Sequence, residues 1–265
     1  MKITVIGGDM RLITAKNELE SKGFEVNSLG LFDGDNGDIK TADVLLLPVP
    51  TTRDKINVFA PLTGRVIPLD WVEENINDRQ ILLCCNYAFK KGKCVDYNRL
   101  DSYALLNAVP TAEGAIRWAI EKTPFTLWGA RVLVIGYGRV GKVLANRLKA
   151  LGCSVTVSAR KSSDFALITD FNMEKTNTRF LNSSPLNFDI VFNTVDIPVL
   201  SNETLKKSPC EYILDLSSLG GFDLEFARSI GKTADMAPAL PGKTAPYTAG
   251  KILAQTVTEI ISSQE

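Results

Sequence analysis

The stretch from Arg131 to Arg160, RVLVIGYGRVGKVLANRLKALGCSVTVSAR, leaves few folds open to this chain. Four apolar residues, Val132 to Ile135, run into Gly136-Tyr137-Gly138-Arg139-Val140-Gly141. Apolar positions Val140, Val143, Leu144, Leu148 and Leu151 then recur at helical spacing until Gly152, and a β-branched run from Ser154 to Val157 comes next. Strand, glycine turn, helix and strand make one βαβ unit carrying GxGxxG in its proper context, which predicts dinucleotide binding. Gly136 permits the tight turn, Gly138 lets a pyrophosphate approach the backbone, and Gly141 lets the helix pack closely on the strand. Arg139 and Val140 open a helix whose free N–H groups and positive dipole end suit the phosphates.

The rest of the composition narrows the class by exclusion. A chain of 265 residues suits one or two domains, and 45% hydrophobic content can supply a sizeable core. Thirty basic and thirty acidic residues cancel, so no basic field favours nucleic acid or an anionic membrane surface. No charged start precedes an apolar run and no stretch reaches membrane-spanning length, so a soluble cytoplasmic protein is expected. Five cysteines without a CxxC pair predict reduced, mostly buried thiols and no metal site. Histidine is absent altogether, which removes a Ser-His-Asp triad, a His-ligated catalytic metal and a His general base. Proton handling falls to Lys, Asp, Glu, Tyr, Cys or water.

Before the glycine turn the pattern is again α/β. Lys2 to Ile6 reads as a strand, Gly7-Gly8-Asp9-Met10-Arg11 as a turn with Asp9 as N-cap, Arg11 to Ser21 as a helix and Phe24 to Leu29 as a strand. This is a second Rossmann-like start, but GGDMR is not GxGxxG, so it predicts no second dinucleotide; Arg11 beside the helix start could meet a carboxylate. Asp43 to Leu47, Val66 to Leu69, Gln80 to Cys85 and Tyr103 to Leu106 read as further strands, Asp70 to Ile76 as a helix capped by Asp70, and Lys90 to Asn98 as a surface excursion. Thr51 and Thr52 lie just past a strand end, where ligands gather in open α/β sheets. Pro110 opens a helix capped by Thr111 and running to about Lys122. After Arg160 come a short helix near Phe165 to Phe171 and strands at Asp189 to Thr194, Glu211 to Leu216 and Gly231 to Met236. Thr194-Val195 and Asp215 end two of these, where a Rossmann domain presents the nicotinamide half of its cofactor. Ala237 to Pro246 is too rich in proline for helix or strand, and a final helix from Thr248 carries Ile252, Leu253, Val257, Ile260 and Ile261 as its apolar stripe.

The predicted architecture is therefore α/β: two Rossmann-like parallel-sheet domains, the second an NAD(P)-binding domain, with the C-terminal helix returning to the first. The expected division is 1–123 plus 245–265 against 124–244. An NAD site usually ends its second strand in Asp or Glu, but here that end reads Ser158-Ala159-Arg160-Lys161-Ser162-Ser163, with no carboxylate before Asp164. Ser158, Arg160 and Lys161 fit a 2′-phosphate, so NADP is expected over NAD.

The chain resembles the A subunits of dipicolinate synthase from spore-forming bacteria over nearly its whole length. The resemblance rests on Val5-Ile6-Gly7-Gly8-Asp9-Met10-Arg11, on Val109-Pro110-Thr111-Ala112-Glu113-Gly114, on the glycine turn with Ser158-Ala159-Arg160, and on Leu240 to Pro246 with Thr248-Ala249-Gly250. Ala239 and Tyr247 stand where that family is expected to have glycine and lysine. The resemblance implies oxidation of a dihydrodipicolinate-type precursor to dipicolinate with NADP as hydride acceptor. It also implies a partner, the B subunit of dipicolinate synthase, and work in the mother cell during sporulation. For such a small dicarboxylate, Arg11, Thr51, Thr52, Thr111 and Lys243 are carboxylate-binding candidates, and Lys243, Glu113, Asp215 and Tyr247 are proton-handling candidates. Self-association is left open. A different two-domain NAD(P)-dependent dehydrogenase, such as one acting on 2-hydroxy acids, fits poorly because those enzymes use a histidine; a non-catalytic NADP-binding protein remains an alternative.

Overall fold

A computed structural model describes residues 1–263 as two compact units, Met1–Asn107 together with the chain from Ala245, and Ala108–Thr244. In the first, β1 (Lys2–Ile6) leads through Gly7-Gly8 into α1 (Met10–Ser21) and β2 (Glu25–Leu29). Then come β3 (Val44–Leu46), α2 (Leu69–Asn75), β4 (Ile81–Cys84), β5 (Lys93–Asp96) with a 3-10 turn over Tyr97–Arg99, and α3 (Asp101–Lys122). The five strands are parallel in the order β2-β1-β3-β4-β5, so the order reverses between β1 and β3. Strand alternation explains why both faces are covered. Ile3, Val5, Val44, Leu46 and Leu83 point to one apolar layer; Ile6, Leu45, Leu82 and Cys84 point to the other.

The second unit repeats the logic on a larger scale. It comprises β6 (Arg131–Ile135), α4 (Arg139–Ala150), β7 (Ser154–Ala159), α5 (Ser162–Asp170), β8 (Glu174–Asn177), a 3-10 turn over Thr178–Phe180 and β9 (Ile190–Asn193). It continues with α6 (Asn202–Lys207), β10 (Tyr212–Asp215), α7 (Leu224–Ser229), β11 (Thr233–Met236) and α8 (Leu240–Thr244). All six strands are parallel, in the order β11-β10-β9-β6-β7-β8, which is the Rossmann order with its switch point between β6 and β9. Val132 and Val134 pack with Leu144, Ala145 and Leu148 of α4 on one face, while Leu133 and Ile135 face the opposite layer. The buried stripe of α4 is Gly141, Leu144, Ala145 and Leu148; Leu151, expected to continue it, is the exposed C-cap.

The chain ends in α9 (Pro246–Ser262), which packs against α1 of the first unit, as expected for the returning helix. All five residues of its expected stripe, Ile252, Leu253, Val257, Ile260 and Ile261, are buried there with Leu12, Ala15 and Leu19. At about 1.5–3 kcal/mol per buried aliphatic side chain, that stripe contributes on the order of 10 kcal/mol before entropy is counted. The approach is close because Gly250 has no side chain: a Cβ there would meet the Arg11 carbonyl at 2.5 Å and the Thr14 Cβ at 2.5 Å.

Several local expectations are corrected. Tyr103 to Leu106 is not a strand, and Thr111 caps nothing: both lie inside α3, which runs unbroken through Pro110. Buried alanines at positions 108, 112, 115 and 119 give that helix a close-packed face, and its packing outweighs the one hydrogen bond Pro110 cannot donate. Val66 to Leu69 forms only an isolated bridge, Asn57 to Pro68, and Asp70 lies in the first turn of α2 behind its cap, Pro68. The polar stretch Lys90 to Asn98 contains edge strand β5, and β8, α6 and α7 were not anticipated. The proline-rich segment includes the short helix α8.

Gly250→Ala is expected to cost about 1–3 kcal/mol in urea unfolding, because the obstructing atoms are helix backbone and a β-branched side chain. A second expectation concerns Asp235 on β11, which accepts from Trp118 Nε1 (2.8 Å) and Arg228 Nη2 (3.0 Å). Burial pushes its pKa up, but the two donors outweigh it and the pKa lies below the ordinary value. Its stabilisation is therefore present above the ordinary aspartate pKa, about 3.9, and is lost as pH falls through the lower folded value. Asp235→Asn should reduce the melting temperature at neutral pH, and the gap from wild type should close as pH falls below the ordinary aspartate pKa of about 3.9.

Candidate functional site

The glycine turn sits at the carboxyl edge of the second sheet, at its switch point. Gly136 takes φ +100°, a conformation only glycine adopts freely, and Thr194 and Val195 from the end of β9 close over it. Thr194 is held by two bonds to one acceptor: its N–H (2.9 Å) and its hydroxyl (2.8 Å) both donate to the Ile135 carbonyl. A Cβ on Gly141 would lie 2.2 Å from the Gly136 carbonyl oxygen, so glycine is what allows α4 to start this close to the turn. Gly138, the exposed N-cap of α4, faces open space, since a Cβ there would meet no atom within 4 Å. Arg139 is exposed and Val140 half-buried in the first turn. A closed turn, a bare N-cap and a helix start that presents N–H groups fit the pyrophosphate of a dinucleotide.

The end of β9 is tied to the end of β10. Asp215, buried at 2% exposure, accepts from Asn193 Nδ2 (2.9 Å), the Ser217 N–H (2.8 Å) and the Gly221 N–H (2.6 Å). Asn193 Nδ2 also donates to the Val195 carbonyl at 2.9 Å. Both carboxylate oxygens of Asp215 are thus engaged in shaping the two loops that border the turn. Asn193, whose amide links them, was not among the sequence candidates; its place as the last residue of a strand beside the switch point was the available signal.

At the far side of the turn, Arg160 and Lys161 are exposed just past the end of β7. Ser158 is fully buried and its hydroxyl is bonded to Thr178 Oγ1 at 2.7 Å, a contact made by the unanticipated strand β8. Tyr137 packs into the core with Lys142 Nζ 5.2 Å from its ring centroid. Burial and then the charge of Asp164 push the Tyr137 phenol above its ordinary pKa.

The remaining candidates fall in two places. In the first unit Arg11 is 3% exposed, and its Nε and Nη2 donate to the two oxygens of Asp9 at 2.9 and 2.7 Å. Nη2 also donates to the Val49 carbonyl, joining the loops after β1 and β3 at that sheet's switch point. Asp9 is the N-cap of α1, as expected, accepting from the Arg11 N–H at 3.0 Å. Burial disfavours the Arg11 charge, yet the Asp9 hydrogen bonds and charge more than compensate and hold it protonated. Thr51 is fully buried, accepting from the Cys85 N–H at 2.9 Å, and half-buried Thr52 accepts from the Lys55 N–H at 3.0 Å. Tyr247 is exposed, with Lys251 Nζ 4.6 Å from its ring centroid.

In the second unit, Glu113 on α3 pairs with Arg147 of α4 at 3.4 Å, and exposed Lys243 lies on α8. Two of the stretches that carried the family resemblance meet here: a Cβ on Gly114 would lie 2.8 Å from Thr244 Oγ1 and 3.0 Å from the Leu240 Cβ. Packing of α8 on α3 accounts for that glycine. None of the five cysteines is in a disulfide, and burial pushes the thiols of Cys85, Cys153 and Cys210 up to about 12, 11 and 11, so they are protonated at neutral pH. Among the described residues no helix is long and apolar enough to cross a membrane.

The two glycines separate folding from binding. Gly138→Ala places its methyl in open space before the start of α4, so affinity for a nicotinamide dinucleotide should fall about tenfold or more with the melting temperature unchanged. Gly141→Ala should lower both, as titration calorimetry and thermal unfolding of the two variants will read.

Comparison with known proteins agrees with this geometry. The family described as the N-terminal domain of the dipicolinate synthase A subunit matches residues 2–103, and a putative NAD(P)-binding family matches residues 125–214. The chain is 31% identical to the dipicolinate synthase A subunit of Bacillus subtilis (strain 168), covering 99% of this chain and 96% of the relative. The crystal structure of the dipicolinate synthase A subunit from Bacillus halodurans superposes with a TM-score of 0.90 at 30% identity, covering 98% of this chain and 97% of that one. A transhydrogenase from Sinorhizobium meliloti, at 14% identity and a TM-score of 0.68, shares the fold over 99% of this chain and 94% of its own. With a relative above 30% identity aligned end to end and a Rossmann switch point built as its NAD(P)-binding half requires, the chain belongs to the family of dipicolinate synthase A subunits.

Proposed function

We propose that this protein is the nicotinamide-dependent component of a dipicolinate synthase, oxidising a dihydrodipicolinate-type substrate to dipicolinate with NADP. The observation that carries the reading is the switch point of the second unit, where an open Gly138, Thr194-Val195 and the Arg160-Lys161 strand end lie along one sheet edge in a member of this family. Bound there, NADP supplies the hydride acceptor.

The chain's own residues have the tasks of binding and proton handling. Gly138 and the α4 start receive the pyrophosphate, with Arg139 and Val140 in the first turn, and Arg160 and Lys161 receive the 2′-phosphate. Asp215 and Asn193 hold Thr194 and Val195 in position, so Asp215 is a positioning residue in this reading rather than a base. Lys243 is the proposed group for the proton step or a substrate carboxylate, because it is a solvent-facing cation on α8; Glu113, exposed beside Arg147, and Tyr247 are the weaker candidates. Arg11 already holds Asp9 and Val49, and Thr51 already holds Cys85, so their contribution is to fix the loops that border the first sheet's switch point; Thr52 and Thr111 remain as substrate contacts to test. The B subunit is the partner, and a soluble enzyme of the mother cell is the setting.

A second reading of the cofactor comes from Asp164, the first carboxylate after the end of β7: NAD sites use such a carboxylate to hold a ribose 2′-hydroxyl. The strand end favours NADP because it carries two exposed cations. A third reading, a non-catalytic NADP-binding protein, draws on the engagement of both Asp215 oxygens, which takes that carboxylate out of the candidates for a general base.

One assay separates these readings. The purified chain, alone and with the B subunit, is supplied with enzymatically generated dihydrodipicolinate and either NADP⁺ or NAD⁺, and reduced nicotinamide absorbance is followed. Turnover faster with NADP⁺ is expected, and Lys243→Ala should reduce kcat by about a hundredfold or more if the lysine moves the proton. Absence of turnover in both preparations, despite cofactor binding, would leave the non-catalytic reading standing; unchanged kcat in Lys243→Ala would remove that residue from the mechanism.

A further inference from the structure

The strand that the sequence concealed, β8, brings a second loop to the edge where Arg160 and Lys161 lie. It pairs in parallel with β7, Ser158 opposite Thr176 and Ala159 opposite Asn177. Arg160 and Thr178 are therefore the first residues beyond the paired ends of two neighbouring strands, whose axes lie about 4.8 Å apart. Two bonds fix the chain just past β8. The buried Ser158 hydroxyl is bonded to Thr178 Oγ1 at 2.7 Å, and Asn177 Oδ1 accepts from the Arg179 N–H at 3.1 Å as the cap of the 3-10 turn. The Arg179 backbone is thus clasped one residue past a buried hydroxyl pair, and the residue is exposed, as Arg160 and Lys161 are. Neither strand end contributes a carboxylate, from Ser158 through Ser163 or from Asn177 through Phe180.

We propose that Arg179 is a third cation of the adenosine 2′-phosphate subsite, held in place by the Ser158–Thr178 clasp, so that cofactor choice is set by two loops rather than one. The proposal rests on the reading that the second unit takes NADP. A phosphate monoester carries between one and two negative charges at neutral pH, and each of its three acceptor oxygens can take more than one donor. An arginine from the neighbouring strand approaches the phosphate from a second direction and can bind two of its oxygens at once. In the free protein three exposed cations on adjacent strand ends repel one another, and a dianion relieves that repulsion. Ser158 then has a positioning role: its hydroxyl is spent on Thr178, and its effect on the cofactor passes through the turn that carries Arg179.

Binding measurements on the intact chain test this without activity. Wild type, Arg179→Ala, Arg179→Lys and Arg160→Ala are titrated by calorimetry with NADPH, NADH, adenosine 2′,5′-bisphosphate and 5′-AMP. Arg179→Ala is expected to lose about tenfold in affinity for the two ligands with a 2′-phosphate and nothing for the two without, with partial recovery in Arg179→Lys. Equal losses for all four ligands would make Arg179 structural and overturn the proposal. So would an unchanged Arg179→Ala beside an Arg160→Ala that loses NADPH, an outcome that leaves the NADP reading intact. Wild-type affinity for NADH equal to that for NADPH would bring down the NADP reading itself and the proposal with it.

Discussion

The second unit depends on a backbone contact that only glycine permits: α4 begins so near the end of β6 that any side chain at Gly141 would strike the Gly136 carbonyl. That contact aims the helix start at the sheet's carboxyl edge and leaves the Gly138 face bare for an anion. It also leaves the Ile135 carbonyl to be claimed twice by Thr194, which brings the end of β9 over the turn. Beyond β9, the Asn193–Asp215 pair carries the same ordering to the loop after β10. One close approach thus organises three strand ends.

The first unit shows what an α/β switch point becomes without that glycine arrangement. Its strand order, β2-β1-β3-β4-β5, also reverses beside β1, but the turn GGDMR places an arginine where the other turn has an open helix start. Burying a guanidinium is costly unless it is paired and fully hydrogen-bonded, and Asp9 with the Val49 carbonyl supplies that pairing. Two loops are fastened by the same side chain. The α9 helix, seated through Gly250 against the Arg11 and Thr14 turn of α1, covers the same element from its other side.

Local patterns were most legible where one physical requirement dominated. The GxGxxG unit, the Asp9 cap and the five-residue stripe of α9 could be read directly, since tight turns, helix starts and apolar faces each leave a periodic or positional mark. Two of the edge strands left none: β5 and β8 are short and half-exposed, with sequences KCVD and EKTN that burial does not pattern. Pro110 misled in the opposite direction, because a proline inside a helix is tolerated when alanine packing on both sides holds the helix together. At the site, the cofactor glycines and exposed cations were visible, whereas the engagement of Asp215, Arg11, Thr51 and Ser158 was not. Each has at least one partner between 20 and 38 residues away along the chain, a relation that no local spacing encodes.

What the sequence alone determined is the class of the protein: a parallel α/β chain with one dinucleotide turn, no histidine for acid–base work, and motifs of the dipicolinate synthase A subunits. These come from residue identity and short-range periodicity. Tertiary structure decided which polar residues face a ligand and which hold the scaffold, because that depends on pairings between strand ends far apart in sequence. It also decided that a polar edge strand, invisible as a pattern, ties Thr178 to the buried Ser158 near the end of β7. A parallel sheet gathers every strand's carboxyl end on one edge, so the site is assembled by strand order, and strand order is a property of the fold.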